Sequence, residues 1–138
     1  MKHFIFAIIT GLLFCQPVSA ATVQQNQNSK STLTCDSAVN LKKPMVVLYS
    51  ADYCYYCKKF KPVFYHLSYN LSDEYNFIVY DITKKHKQTI CDNVDLDGIP
   101  TLYVFNPKTG SKYLVPERYY STPGMLKNKL VEYYKNLK

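Results

Sequence analysis

The sequence contains no tryptophan, only four glycines and only three histidines among its 138 residues. It shows no internal repeat, and no second Cys-x-x-Cys accompanies the one at Cys54 and Cys57. The main apolar run, 4–14, is shorter than the roughly 20 residues that a helix needs to span a bilayer. Basic residues outnumber acidic ones by 17 to 10, but the lysines are dispersed. We therefore expect a solvated basic surface, with neither a membrane span nor a nucleic-acid partner.

The N-terminal segment, 1–20, has the features of a secretory signal peptide. Lys2 precedes the apolar run, and the segment ends in the sequence VSA at Ala20, which suits cleavage there. This pattern predicts a periplasmic or secreted protein. Residues 21–34 are polar and rich in amides, which is typical of a flexible tether. Residues 35–138 have the length and pattern of one globular domain.

Helical and strand patterns alternate through this domain. The predicted elements are helix 36–41 capped by Asp36, strand 45–50, helix 54–71, strand 76–82, helix 84–93, strands 100–106 and 111–115, and helix 123–137. The continuous apolar run MVVLYS is typical of a buried strand, and Thr122 with Pro123 marks the start of the last helix. The order predicts an α/β fold with a central mixed four-stranded sheet and helices on both faces.

Cys54 and Cys57 are the strongest candidates for chemistry. Two thiols so close together could bind a metal, form a stabilising disulfide or exchange disulfides with a substrate. A Cys-x-x-Cys disulfide closes too small a loop to stabilise the fold much, so its value is more often chemical. Cys54 follows a strand and begins a helix, where free N–H groups and the helix dipole stabilise a thiolate. Cys57 lies one turn further on, beneath it. We predict that Cys54 attacks a substrate disulfide and that Cys57 resolves the mixed disulfide.

Two motifs resemble those of the thioredoxin family. The segment YCYYCKKFKP has an aromatic residue, Tyr53, before the first cysteine, a lysine directly after the second, and a proline eight residues after Cys54. The segment DGIPT, 97–101, resembles the thioredoxin loop whose cis-proline faces the Cys-x-x-Cys. The resemblance extends over almost the whole domain and implies a thioredoxin fold with a cis bond between Ile99 and Pro100. It also implies substrate contacts, which we assign to the backbone of Ile99, to Pro100 and to the side chains of Tyr53, Tyr55 and Tyr56.

The resemblance implies a thiol–disulfide oxidoreductase that acts on protein thiols and disulfides as a monomer and without a cofactor. The chain has no room for the helical insertion of Dsb-type oxidants or the dimerisation domain of disulfide isomerases. We therefore favour a reductant that receives electrons from a membrane redox partner. A net oxidant or an isomerase of the same fold remains an alternative. Alternatives of another class are a redox-inactive interaction module and a metal-binding protein, the latter using Cys35 and Cys91 with the Cys-x-x-Cys.

The departures from the family pattern concern partner choice and redox poise. Thioredoxins have a buried acid six residues before the first cysteine, where this sequence has Leu48, and the nearby Asp52 is expected to be solvated. Tyr55 and Tyr56 replace the usual Gly-Pro, and no histidine stands between the cysteines. The segment PERYYS occupies the stretch where a glycine normally lines the substrate groove. Its tyrosines are further candidates for substrate contact.

Cys35 and Cys91 lie outside the Cys-x-x-Cys. In a thioredoxin fold the helices that carry them would pack on the same face of the sheet, so the two thiols could meet and form a structural disulfide in an oxidising compartment. The alternatives are two small buried thiols, or one thiol free for exchange with a partner. The sequence leaves this choice open, because a disulfide needs the two Cα atoms within about 7 Å and the sequence does not give that distance.

Overall fold

The computed structural model describes residues 34–40, 42–85 and 88–137. The predicted signal peptide and, apart from Thr34, the predicted tether lie outside these residues. The regular elements are α1 (Cys35–Asn40), β1 (Met45–Ser50), α2 (Tyr55–Asn70), β2 (Asn76–Asp81), β3 (Thr101–Phe105), β4 (Lys112–Val115) and α3 (Pro123–Asn136). Short 3-10 turns occupy Ile90–Asp92 and Glu117–Tyr119. Within the described residues, no helix combines the length and apolarity needed to cross a membrane.

The four strands form one mixed sheet in the order β2-β1-β3-β4. β1 runs parallel to β2 and antiparallel to β3, and β3 runs antiparallel to β4. The parallel strands are connected through α2, because parallel pairing requires a long crossover. β3 and β4 are joined by a tight turn at Gly110, whose φ of 72° favours glycine. The α/β class and the mixed four-stranded sheet predicted from the sequence are confirmed.

The side chains of β1 divide the core between the two faces of the sheet. Val46 and Leu48 pack in the apolar cluster formed with α2 and α3. Met45 and Tyr49 pack in the cluster formed with α1 and the turn around Cys91. All six residues of β1 are buried, which explains the unbroken apolar run in the sequence. Helices therefore cover both faces, as predicted.

The two long helices agree with their predicted positions to within one residue at each end. The buried residues of α2 are Cys57, Phe60, Phe64 and Leu67, which share one face of the helix. α3 begins at Pro123, and the hydroxyl of Thr122 accepts the Met125 N–H at 3.2 Å. Leu126 and Leu130 bury its apolar stripe. These contacts position the N-terminus of α2 at the end of the sheet where β1 finishes.

The predicted helix over 84–93 is wrong. Among the described residues of this stretch, only Ile90–Asp92 is helical, as a single 3-10 turn. The Thr89 hydroxyl accepts the Cys91 N–H at 3.1 Å, and the Asp92 carboxylate accepts the Thr89 N–H at 2.5 Å. These two bonds form a capping box, which fixes the start of the turn at Thr89. The preceding sequence, KKHKQT, offers no apolar residue that could pack on the sheet. A longer helix there would lack the tertiary packing that stabilises most helices in proteins.

The predicted cap of the first helix is also wrong. α1 begins at Cys35 rather than at Asp36, and Thr34 precedes it. The Ser37 N–H donates to the Thr34 hydroxyl at 3.4 Å, and the Ala38 N–H donates to the Thr34 carbonyl at 3.0 Å. Threonine and aspartate are both good N-cap residues. The choice between them depends on the backbone path before the helix, which the sequence pattern does not specify.

Candidate active site

Cys54 and Cys57 are joined in a disulfide at the N-terminus of α2, with their Cα atoms 5.2 Å apart. Cys54 is the N-cap residue, and its Sγ accepts the N–H of Cys57 at 3.1 Å. Its own N–H donates to the Ala51 carbonyl at 3.1 Å, which closes the short loop between β1 and α2. The Cys-x-x-Cys spacing produces this geometry because residues three apart lie on the same side of a helix.

The two sulfur-bearing residues differ in their exposure. Cys57 is fully buried, whereas Cys54 keeps 9 % of its surface accessible. The first turn of α2 directs N–H groups towards Cys54, and such groups favour negative charge on a sulfur. Cys54 is therefore the more accessible of the two cysteines, and Cys57 lies behind it.

Tyr53, Tyr55 and Tyr56 flank the cysteines in sequence and are strongly exposed, at 74 %, 60 % and 71 %. The rings of Tyr55 and Tyr56 meet edge to face with centroids 5.6 Å apart, and Lys59 Nζ lies 4.5 Å from the centre of the Tyr55 ring. Large aromatic side chains bury much apolar area when a partner covers them. A group of them exposed beside a buried cysteine pair is typical of a binding surface.

The cis-proline loop lies against the cysteine pair. The Ile99–Pro100 peptide bond is cis. The Ile99 carbonyl lies 3.7 Å from Cys54 Sγ, and the Ile99 side chain packs on the cysteine pair. The Thr101 hydroxyl donates to the Gly98 carbonyl at 2.7 Å, which braces the loop. The fold thus brings together two motifs that are about 45 residues apart in sequence.

The position of the buried acid in thioredoxins is apolar here. Leu48 is fully buried in the cluster beneath α2 and α3. Asp52 is exposed, and its carboxylate lies 3.5 Å from Lys61 Nζ. Ser50 lies two residues beyond Leu48 on β1, and its hydroxyl is buried with no hydrogen-bond partner among the described residues. This polar group was not predicted from the sequence, in which the one signal is a serine at the end of an apolar strand.

Tyr120 has a structural role that its sequence context did not predict. Its hydroxyl accepts the Leu102 N–H at 2.7 Å and donates to the Val115 carbonyl at 3.0 Å. Its ring contacts Phe60 of α2, with centroids 5.0 Å apart. Burial raises the pKa of the phenol, so the hydroxyl keeps its proton. Tyr120 therefore connects β3, β4 and the helix that carries the cysteines. From the sequence PERYYS alone, this tyrosine is only a candidate for substrate contact.

Cys35 and Cys91 form a second disulfide on the other face of the sheet, with Cα atoms 6.3 Å apart. Cys35 is 4 % exposed and Cys91 is fully buried. The Tyr49 hydroxyl donates to the Cys91 carbonyl at 2.6 Å, and burial raises the pKa of Tyr49. The four cysteines among the described residues thus form two separate pairs. The part of the chain that the structure describes contains no cluster of side chains suited to hold a metal ion.

The turn that carries Cys91 is held by a second tyrosine. The Tyr80 hydroxyl donates to the Asp92 carboxylate. Burial, and then the hydrogen bond to Asp92, raises the pKa of Tyr80 to about 12. The phenol therefore remains a donor across the physiological pH range. Tyr49 and Tyr80 contact each other with ring centroids 5.3 Å apart, so the two tyrosines anchor this turn to β1 and β2.

Comparison with known proteins agrees with this fold. The family model described as Thioredoxin matches residues 24–122, which is more than half of the chain. Among solved structures, the first thioredoxin domain of mouse protein disulfide-isomerase A4 has a TM-score of 0.58 at 20 % identity. That match covers 72 % of this chain and 69 % of the mouse domain. At this level of identity the likeness shows a common fold.

Two curated relatives are also similar in sequence. Protein disulfide-isomerase 1 of Dictyostelium discoideum is 28 % identical over 115 residues, which cover 81 % of this chain and 31 % of the relative. A mitochondrial thioredoxin domain-containing protein of Schizosaccharomyces pombe is 24 % identical over 105 residues, which cover 75 % of this chain and 28 % of the relative. This chain therefore spans about three tenths of the length of these relatives.

The matched family model, the sheet order and the cysteine pair facing a cis-proline agree with one another. Together they support a thiol–disulfide oxidoreductase. The chain belongs to the thioredoxin family.

Proposed function

We propose that this protein is an exported thiol–disulfide oxidoreductase that acts on protein substrates through Cys54 and Cys57 and works mainly as a reductant. The observation that carries the proposal is the position of Cys54 Sγ, 3.1 Å from the Cys57 nitrogen and 3.7 Å from the Ile99 carbonyl oxygen. The first contact favours a thiolate in the reduced protein. The second contact supports Cys54 as the attacking sulfur, because a substrate chain could pair with the backbone of Ile99.

The reaction proceeds through a mixed disulfide. The Cys54 thiolate attacks one sulfur of the substrate disulfide and forms a bond to it, while the other substrate sulfur leaves as a thiolate and takes up a proton. Cys57 then loses its proton and attacks Cys54 Sγ. This step forms the Cys54–Cys57 disulfide and releases the second substrate thiol. Two electrons pass from the cysteine pair to the substrate.

The substrate is held by two surfaces beside the cysteine pair. Backbone pairing at Ile99, next to Pro100, gives affinity that does not depend on the substrate sequence. The exposed rings of Tyr53, Tyr55 and Tyr56 cover apolar side chains of the substrate and bury area on both partners. A broad range of unfolded or flexible polypeptides fits this arrangement.

The direction of electron flow is inferred from the residues between the cysteines. Oxidants of this fold often have a histidine there, which stabilises the thiolate and hence the reduced form. Tyr55 and Tyr56 bring no such charge. A less stabilised thiolate makes the reduced pair a better electron donor. In an oxidising compartment the pair must be reduced again after each turnover, and we propose a membrane redox partner for this step.

The reduction potential of the Cys54–Cys57 pair tests the direction. The protein is equilibrated in glutathione or dithiothreitol redox buffers, and the two states are trapped by alkylation. We expect a value near that of thioredoxin, about −270 mV. A value near about −120 mV would identify a net oxidant instead, and one near about −180 mV would favour an isomerase.

Export is tested separately with the full chain expressed in a bacterium. The mature protein in the periplasmic fraction is expected to begin at Ala21. An Ala20→Tyr variant places a bulky residue at the cleavage site and should accumulate with Met1 retained. A wild-type protein found uncleaved in the cytoplasmic fraction would contradict export.

A further inference from the structure

The side of α2 that is turned away from the sheet carries a band of exposed residues. Six of them share one face of the helix: Lys58, Lys59, Pro62, Tyr65, His66 and Tyr69. Residues three and four apart are neighbours on a helix surface, so these six form a continuous band about 16 Å long. We call this band the outer stripe. It lies opposite the buried face of α2 and extends away from the cysteine pair.

The outer stripe is positively charged. α2 contains three lysines and neither aspartate nor glutamate among its 16 residues. Lys61 lies 3.5 Å from Asp52, but Lys58 and Lys59 form no ion pair with any described residue. The other long helix, α3, instead has a lysine and a glutamate that pair at 2.6 Å. The two lysines of the outer stripe are therefore available to a negatively charged partner.

The aromatic rings of the outer stripe are exposed and carry a polar group. Tyr69 is 84 % exposed and Tyr65 is 38 % exposed. A tyrosine has an apolar ring and a hydroxyl, which suits the boundary between water and the interior of a bilayer. Lysine likewise has an apolar stem and a charged end. The outer stripe contains no leucine, isoleucine, valine or phenylalanine, so its composition matches a lipid headgroup layer better than the dry centre of a protein interface.

We propose that the outer stripe binds the surface of a bilayer that contains anionic phospholipids. The ammonium groups of Lys58 and Lys59 pair with headgroup phosphates, and the Tyr69 ring lies at the level of the headgroups. The inference goes beyond the proposed function, because lipid binding requires neither the cysteine pair nor disulfide exchange. In this orientation α2 lies along the membrane surface, and the protein is kept beside the membrane redox partner that we propose.

Vesicle sedimentation tests the charge of the outer stripe. The full chain, as the expressing cell processes it, is mixed at low ionic strength with vesicles of phosphatidylcholine alone or of phosphatidylcholine and phosphatidylglycerol in equal parts. The protein should sediment with the anionic vesicles, and added salt should release it. All forms compared have the same N-terminus, so any difference between them comes from the substituted residues.

Two double variants remove the same charge from different places. Lys58→Gln with Lys59→Gln should weaken binding to the anionic vesicles by roughly 25-fold, because each lysine close to such a surface contributes about fivefold. Lys42→Gln with Lys108→Gln is the matched control. These exposed lysines lie in turns at the end of the sheet where β1 begins. The control should change binding by less than about fivefold, the contribution of one contacting lysine.

A tryptophan probe tests which face meets the lipid. The sequence contains no tryptophan, so a single introduced indole gives an unmixed signal. With anionic vesicles, the emission of Tyr69→Trp should shift to shorter wavelength and be quenched by brominated lipids. Leu96→Trp is the control, because Leu96 is 37 % exposed and lies outside α2, in the loop that follows Cys91. Its emission should not change.

The outcomes separate the lipid surface from the proposed function. Absence of wild-type binding to anionic vesicles, equal losses in the two double variants, or equal shifts in the two tryptophan variants would overturn the lipid surface. A shift of Tyr69→Trp with soluble polyglutamate but not with vesicles would assign the outer stripe to an acidic protein instead. Insulin reduction by the wild type is measured without vesicles, and its absence would contradict the proposed function alone.

Discussion

The two disulfides of this protein lie in regions with opposite properties. Cys54 and Cys57 are three positions apart at the start of a helix, where a backbone N–H donates to the outer sulfur. Cys35 and Cys91 are 56 positions apart and lie in the apolar cluster on the other face of the sheet. The first pair is next to a cis-proline loop and exposed aromatic rings, and the second is enclosed by α1 and a turn.

Spacing and surroundings distinguish the two disulfides and suit the first to exchange and the second to stability. Closing a loop of 56 residues restricts the unfolded chain by about 4 kcal/mol, whereas a loop of three contributes about 2 kcal/mol by the same relation. The short disulfide adds less stability than the long one, but its position at a helix N-terminus supports a thiolate. The long disulfide has the larger effect on the unfolded chain and no comparable donor to its sulfurs among the described residues.

The tyrosines of the two regions differ in the same way. Tyr53, Tyr55 and Tyr56 expose most of their surface around the short disulfide. Tyr49 is buried beneath the long one and uses its hydroxyl to hold the Cys91 carbonyl. Exposed rings are available to a substrate, whereas a buried phenol with a backbone partner contributes to stability.

Removing the sulfur that we propose as the nucleophile should have the strongest effect. Cys54→Ser should reduce the rate of protein disulfide reduction to the uncatalysed background, because serine cannot form the mixed disulfide. Cys57→Ser should accumulate mixed disulfides that are visible on non-reducing gels. An insulin reduction assay measures the rates. A Cys35→Ser, Cys91→Ser double variant is the control and should remain active while folded, and substantial activity in Cys54→Ser would contradict the assignment.

The second prediction concerns stability. Replacing Cys35 and Cys91 together by alanine should lower the free energy of unfolding by about 4 kcal/mol, since the unfolded chain regains the freedom of the long loop. Replacing Cys54 and Cys57 together by alanine should lower it by at most about 2 kcal/mol. Denaturant unfolding of the two double variants measures the difference. A larger loss in the second variant than in the first would reverse the roles of the two disulfides.

The third prediction concerns the buried phenol of the structural region. Tyr49→Phe leaves the Cys91 carbonyl without its donor and should cost about 1–3 kcal/mol of unfolding free energy. Tyr53→Phe is the matched control, because its ring is 74 % exposed and the change should be within about 0.5 kcal/mol. Thermal or denaturant unfolding measures both. Equal effects of the two substitutions would remove the distinction between the regions.

The weakest effect that we expect is a dependence of the unfolding free energy on pH. The disulfides do not titrate, so this dependence must come from other groups. Hydrogen bonds from the Thr83 hydroxyl at 2.6 Å and the Thr83 N–H at 3.0 Å, with Lys84 at 3.1 Å, lower the pKa of Asp81 to about 2. The resulting stability is fully present above the ordinary aspartate pKa of about 3.9 and is lost as the pH falls through about 2.

Asp81→Asn should therefore lower the free energy of unfolding by roughly 1 kcal/mol near neutral pH, after allowance for solvent screening. The difference from the wild type should shrink as the pH falls from about 4 and vanish only below about pH 2. Urea unfolding at a series of pH values measures it. A difference that stays constant down to pH 2 would show that the Asp81 charge is not responsible.

The features that could be predicted from the sequence depend on neighbours in the chain. The buried strand β1 follows from an unbroken apolar run, and α2 follows from apolar residues three and four apart. The Cys-x-x-Cys at a strand-to-helix junction and the segment DGIPT identify the site because each motif is complete within a few residues. Their meeting at 3.7 Å is a property of the thioredoxin fold that the resemblance implied.

The features that could not be predicted depend on contacts between distant residues. The phenol of Tyr120 bonds to Leu102, 18 residues away, and no periodic pattern reports such a bond. The pairing of Cys35 with Cys91 was left open, because the number of residues between two cysteines does not determine the distance between their Cα atoms. The predicted helix over 84–93 was wrong because a helix of this length is marginal unless an apolar face packs on the rest of the protein.

The central claim is that Cys54–Cys57 is the redox-active pair and Cys35–Cys91 the structural one. The native oxidised protein is titrated with dithiothreitol, alkylated at each step, and mapped by mass spectrometry to give the reduced fraction of every cysteine. Cys54 and Cys57 should be labelled first, with Cys54 reacting faster when the alkylating agent is limiting, while Cys35 and Cys91 stay joined until the protein unfolds. Labelling of Cys35 and Cys91 before, or together with, Cys54 and Cys57 in the folded protein would contradict the account.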